Sequence, residues 1–136
     1  MDTDATRKLV LRFLEARAAN DESALYELLA EDAEWRPPVG ATIGPFRGRR
    51  EVAQALAGGA AGHLFDVSTM KRDVRKVVVD GDTAAVQQKL SATTRSGAEY
   101  TNEYAWFYTC RDGAVVLLEE YADTLRAARI LGQISG

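Results

Sequence analysis

Asp123 stands where a strand-like run, Val115-Val116-Leu117-Leu118-Glu119-Glu120-Tyr121-Ala122-Asp123, meets a helix start at Thr124-Leu125-Arg126. A carboxylate held among apolar walls at such a junction can serve as an acid or a base. Asp is also a favoured helix N-cap, and in that role it accepts backbone N–H bonds. The two roles pull its acidity in opposite directions. Desolvation in a pocket raises a carboxyl pKa, and capping hydrogen bonds lower it.

Side chains alternate along a strand, so Tyr121 and Glu119 share the face of Asp123, and a bulge near the strand end would bring Glu120 inward instead. Gln87 and Lys89 share one face of an earlier strand, from which Lys89 could hold Asp123 ionised; a solvent-facing lysine is the plainer reading. Trp35 and Phe107 suit a pocket wall with Phe13 beneath them, although aromatic rings also fill ordinary cores. If Phe107 points inward, Tyr104, Trp106 and Tyr108 form an exposed aromatic stripe on the opposite face, a surface fit for a homodimer. His63 follows Gly58-Gly59-Ala60-Ala61-Gly62 and is the one side chain whose ordinary pKa suits proton shuttling near neutrality, but a lone loop histidine is more often a surface residue.

The elements that must position these groups follow from periodicity. Leu9, Val10, Phe13, Leu14 and Arg17 form a helical stripe over residues 4–19. Asn20-Asp21 breaks it and caps a second helix that buries Leu25, Leu28 and Leu29. Ala33-Glu34-Trp35-Arg36 reads as a short strand stopped by Pro37-Pro38, and residues 40–48 as a loop. A third helix runs from Arg49 to about Leu56. From Met70 onward the pattern is of strands, turned at Asp80-Gly81, Ser96-Gly97 and Asp112-Gly113. Helices first and a meander after them predict an α+β fold. In it, a long curled sheet, antiparallel or mixed, forms a cone with three N-terminal helices on its concave face.

At 136 residues, with 46% hydrophobic and 27% charged residues, the chain reads as one domain over 1–136 with a core of its own. A net charge of −3 with scattered basic residues argues against nucleic-acid binding. No apolar run approaches the ~20 residues of a membrane span, and the acidic start lacks a signal-peptide pattern. A single Cys (Cys110) and a single His disfavour a zinc site and point to a reducing cytoplasm.

Four passages resemble the nuclear-transport-factor-2-like superfamily, and most closely its SnoaL-like branch of polyketide cyclases and relatives. They are Leu29-Ala30-Glu31-Asp32-Ala33-Glu34-Trp35, Phe46-Arg47-Gly48-Arg49-Arg50-Glu51-Val52, Arg111-Asp112-Gly113 and Glu120-Tyr121-Ala122-Asp123. The ketosteroid isomerases of this fold use a tyrosine, a protonated aspartate and an aspartate base. Those positions fall here on Phe13, near Ala105, and on Pro37 ahead of Pro38-Val39-Gly40. The Asp–Arg–Asp set of limonene-epoxide hydrolases keeps only Asp123, because its Arg-x-Asp falls on Gln87-Gln88-Lys89. The resemblance to SnoaL-type cyclases implies Asp123 as the acid–base residue, without their accompanying histidine.

Two functions follow from this reading. The first is an enzyme that needs no cofactor and uses Asp123 to cyclise, isomerise or hydrate a small apolar ring or polyketide-like molecule. Phe13, Trp35, Phe107, Tyr121, Glu120, Lys89 and Gln87 would bind the substrate. The second is a non-catalytic ligand-binding or dimeric assembly module of the same fold, since one fold hosts many functions.

Overall fold

The computed structural model describes residues 1–41 and 43–132. Helix α1 (Thr3–Ala18) is capped by Asp2, whose side chain accepts the Ala5 N–H at 2.8 Å. It buries Leu9, Val10, Phe13, Ala16 and, on the same stripe, Arg17. Asn20 takes a positive φ of 49° and ends the helix. Asp21 then caps α2 (Glu22–Leu28) through a bond to the Ala24 N–H. Strand β1 (Leu29–Arg36) follows directly, longer than its sequence signal because Leu29 and Ala33 are already core residues.

After β2 (Phe46–Arg47), α3 (Arg49–Gln54) widens into a π-helical turn over Ala55–Gly59, where Gly58 adopts φ +104°. A side chain at Gly58 would be strained in that conformation and would also press on Val67 at 3.3 Å. The remaining strands are β3 (Phe65–Asp80), β4 (Thr83–Thr94), β5 (Glu99–Arg111) and β6 (Ala114–Ala122), and α4 (Thr124–Ile130) completes the described chain.

One sheet holds all six strands in the order β2-β1-β6-β5-β4-β3. Every pairing is antiparallel except β1 with β6, so the sheet is mixed. The expected α+β architecture with a curled, unclosed sheet is present, and α4 joins the three helices anticipated at the N-terminal end.

Register shifts bend this sheet and choose its faces. In β3 the pairing slips between Asp66 and Lys71 and again between Val74 and Lys76. In β6 Val115 pairs with Cys110 but Leu117 with Thr109, so Val116 is the extra residue. The inward residues of β6 therefore run Val115, Leu118, Glu120 and Ala122. In β5 the inward set is Tyr100, Asn102, Tyr104, Trp106, Tyr108 and Cys110, which alternate with more exposed neighbours. The main core lies between this concave face and α1 to α3, centred on Phe13, Leu25, Val52, Trp106 and Tyr108. No described helix is long and apolar enough to cross a membrane.

Candidate functional site

A cavity of about 190 Å³, partly open to solvent, lies against the concave face. Its sheet side carries Trp35, Arg72, Gln88, Leu90, Tyr100, Tyr104, Trp106 and Glu120. The opposing side comes from the loop after β1 (Pro37, Pro38, Ile43), from the turns after α3 (Ala60, Ala61, Leu64) and from α4 (Ala127, Ala128, Leu131). Most of this wall is apolar, so the few polar groups in it stand in a poorly solvated setting.

Glu120 is the acid of the cavity. The extra residue at Val116 sets the parity that turns it inward, opposite Trp106 on β5. The Trp35 indole Nε1–H donates to its Oε1 at 3.0 Å. Its surface is partly open to the cavity, but the packed atoms around it desolvate the carboxyl. That loss of solvation pushes its pKa up to about 7, against opposing effects from Arg17, the Trp35 hydrogen bond and Arg72.

Arg17 reaches the site from α1. Its Nη1 donates to the Tyr108 hydroxyl at 2.9 Å, and its guanidinium lies 4.1 Å from the centre of the Trp106 ring, a cation–π contact. Arg72 comes from β3, beyond the first register shift, and donates to the Arg17 carbonyl at 3.5 Å. Burial, then the neighbouring Arg17 charge, pulls its pKa down to about 10, so it stays cationic at neutral pH. A tyrosine ladder completes the wall. Asn102 Nδ2 donates to the Tyr100 hydroxyl and to the Asp123 carbonyl, each at 3.0 Å. Tyr100 and Tyr104 share a hydrogen bond of 2.7 Å between their hydroxyls. Burial raises the pKa of Tyr104 and of Tyr108, so both remain protonated donors.

The residues singled out from sequence are distributed differently from expectation. Trp35 and Glu120 border the cavity, and Phe13 lies fully buried beneath it, edge-on to Tyr108 at 5.7 Å. Asp123 is exposed and serves as the N-cap of α4, its Oδ1 accepting the Arg126 N–H at 2.9 Å; it lines no part of the cavity. Phe107 and Tyr121 face the convex side, packed edge-to-face at 5.9 Å and 39% and 51% exposed. The expected aromatic stripe of Tyr104, Trp106 and Tyr108 is internal, because three large rings gain more from burial than one. Gln87 and Lys89 pair across the sheet with Ala105 and Glu103, on the outer face. His63 is exposed and does not line this cavity.

Sequence reasoning put Tyr104 and Trp106 on the outer face and did not single out Arg17, Arg72, Gln88, Leu90 or Tyr100 for the site. Arg17 did carry a signal, as a cation inside an otherwise apolar helical stripe. Arg72 carried none, because its orientation depends on the irregular register of β3.

The comparisons with known proteins agree with this fold. A profile of the SnoaL-like domain matches residues 10–118. The chain belongs to the SnoaL-like family. Its fold is the NTF2-like one. An NTF2-like protein from Burkholderia xenovorans LB400 is 26% identical at a TM-score of 0.78, with 96% of this chain and 98% of that one covered. TerC, co-crystallised with polyporic acid, is 19% identical with a TM-score of 0.80 over 94% of this chain and 98% of its own. An LEH-like epoxide hydrolase from M. tuberculosis is 17% identical with a TM-score of 0.74, covering 96% and 92%. No curated protein matches the sequence.

In this SnoaL-like chain the raised pKa of Glu120 makes stability depend on pH. Between the ordinary value of 4.5 and about 7 the folded protein keeps a proton that the unfolded chain has lost. Stability should therefore fall as pH rises through that window and level off above it. Glu120→Gln removes the penalty, so its gain in Tm over wild type should be at least about 2 °C larger at pH 8 than at pH 5. Equal differences at both pH values would contradict the placement of Glu120.

Proposed function

We propose that this protein is an acid–base catalyst acting on a small ring molecule with an acidic C–H beside a carbonyl, with Glu120 as the proton carrier. One observation carries the reading: an inward carboxyl, oriented by the Trp35 indole at 3.0 Å and brought by desolvation to a pKa near neutrality, in an otherwise largely apolar cavity. A group with that pKa is divided between acid and base at working pH, which suits proton transfer in both directions.

In the base step a Glu120 oxygen takes the proton from carbon, and the C–H electron pair moves into the carbonyl to give an enolate. The protonated Tyr104 hydroxyl is the nearby donor for the enolate oxygen. In the acid step the carboxyl returns the proton either to the same carbon, which exchanges its hydrogen, or to a conjugated carbon, which isomerises the molecule. The aromatic and aliphatic walls would hold the ring flat. TerC, a protein of the same fold, was crystallised with polyporic acid, a precedent for an NTF2-like protein taking up a small organic acid. Asp123 drops out of the chemistry because its carboxylate serves α4. The lone, buried Cys110 fits a cytoplasmic setting.

Hydrogen–deuterium exchange at carbon 1 of 2-tetralone, followed by NMR in D₂O, tests this reading. Wild type should accelerate exchange, Glu120→Gln should lose about 10²-fold or more of that acceleration, and Asp123→Asn should stay within about two-fold of wild type. If wild type and Glu120→Gln exchange alike, the cavity is a binding site only.

We also place a homodimer contact on the convex face, where Val78, Ala85, Phe107 and Glu119 form one cross-strand row beside Tyr121. Exposed apolar groups clustered in this way mark an association surface. Sedimentation at micromolar concentration should find dimers for wild type and monomers for Phe107→Glu; a monomeric wild type would refute the contact.

A further inference from the structure

The charge inside the cavity is unbalanced. Three charged side chains line it among the described residues, and two of them are cations: Arg17 and Arg72 against Glu120. Glu120 bonds to an indole rather than a guanidinium, and neither arginine makes an ion pair with any described residue. Arg17 is only 4% exposed, and its Nε has no hydrogen-bond partner. The Trp106 Nε1 donor and the Gln88 Oε1 acceptor, on neighbouring cavity residues that are each 2% exposed, are likewise unpartnered.

Burying cations without counter-charge is costly, and a well-placed anion that takes up the free donors offsets part of that cost. Of the two, Arg72 is the partly exposed one and can meet a ligand directly, while Arg17, stacked on Trp106, adds positive charge beside it. The space is also small. At about 190 Å³ it lies below the roughly 300–1,000 Å³ typical of drug-sized ligand pockets, so the ligand is compact.

From this arrangement we infer that the ligand is a flat, compact ring molecule carrying an anionic oxygen, a carboxylate or an acidic enol, whose charge is received by Arg72 with Arg17 beside it. This deepens the reading of the same cavity as an acid–base site and rests on it for the ligand's presence there. A guanidinium meets a carboxylate or enolate through charge-assisted N–H···O bonds, and a neutral ketone of the same shape gains less. The remaining walls, with Trp35, Trp106 and Leu90, discriminate by shape rather than charge.

Binding separates this inference from the catalytic one. With 2-naphthoate and its neutral isostere 2-acetylnaphthalene as probes, calorimetry in chloride-free buffer should give at least about ten-fold tighter binding of the anion to wild type. Arg72→Gln should reduce that preference to about three-fold or less, and Arg12→Gln on the exposed face of α1 should keep it. Indole N–H resonances of both tryptophans, which border the cavity, should shift with the anion and report that the probe sits there. Glu120→Gln should preserve or strengthen the preference, because removing a carboxylate leaves the cavity more positive. A loss of proton exchange in Glu120→Gln together with equal binding of the two probes would overturn the anion inference and leave the catalytic reading standing. An unchanged preference in Arg72→Gln, or no binding of either probe at millimolar concentration, would overturn it as well.

Discussion

One extra residue in β6 governs this molecule. Pairing with β5 slips at Val116, and from there Leu118, Glu120 and Ala122 point to the concave face. Because side chains alternate strictly along a strand, moving or removing that slip would exchange every later side chain between core and solvent. Glu120 would then face the outside, and Glu119 would stand opposite Trp106 in its place. The core resists such an exchange. Leu118 is fully buried, and Trp106, the cross-strand partner of Glu120, packs against Trp35 and Tyr108. Hydrophobic packing around Leu118 and Trp106 thus holds a carboxyl in a place it would not choose on solvation grounds alone.

Glu120 shows how the two environments compete. Nearby guanidinium charge and an indole hydrogen bond favour its ionised form, while loss of water disfavours it, and the second effect wins. Were either arginine paired directly with the carboxylate, the balance would tip and the group would be a fixed anion. Arg17 is instead committed to Tyr108 and the face of Trp106, and Arg72 turns to the Arg17 carbonyl. With the guanidinium groups bonded elsewhere, the carboxyl of Glu120 has no ion-pair partner among the described residues.

Much of the fold was legible in the sequence. The apolar stripe of α1, the Asp21 cap, the Gly-containing turns and the β-rich second half each reflect a local rule. The face assignment of β5 was not, because a strand gives two equivalent alternations and only burial decides between them. Weighing Tyr104, Trp106 and Tyr108 together against Phe107 would have chosen correctly. The position of Glu120 required the Val116 slip, which has no sequence signature, and sequence reasoning had left Glu119 and Glu120 undecided. Asp123 was readable in both roles, and the backbone geometry of α4 gives it the cap. Arg72 lies between two register shifts in a long strand, so its face could be found only in three dimensions.

The chemistry proposed for this cavity turns on the ionisation of a single carboxyl. ¹³C NMR titration of the Glu120 side chain, assigned by the resonance that disappears in Glu120→Gln, reads it directly. The midpoint should fall at about 7. A midpoint at the ordinary value of 4.5 would mean a solvated carboxylate and would contradict the site described here.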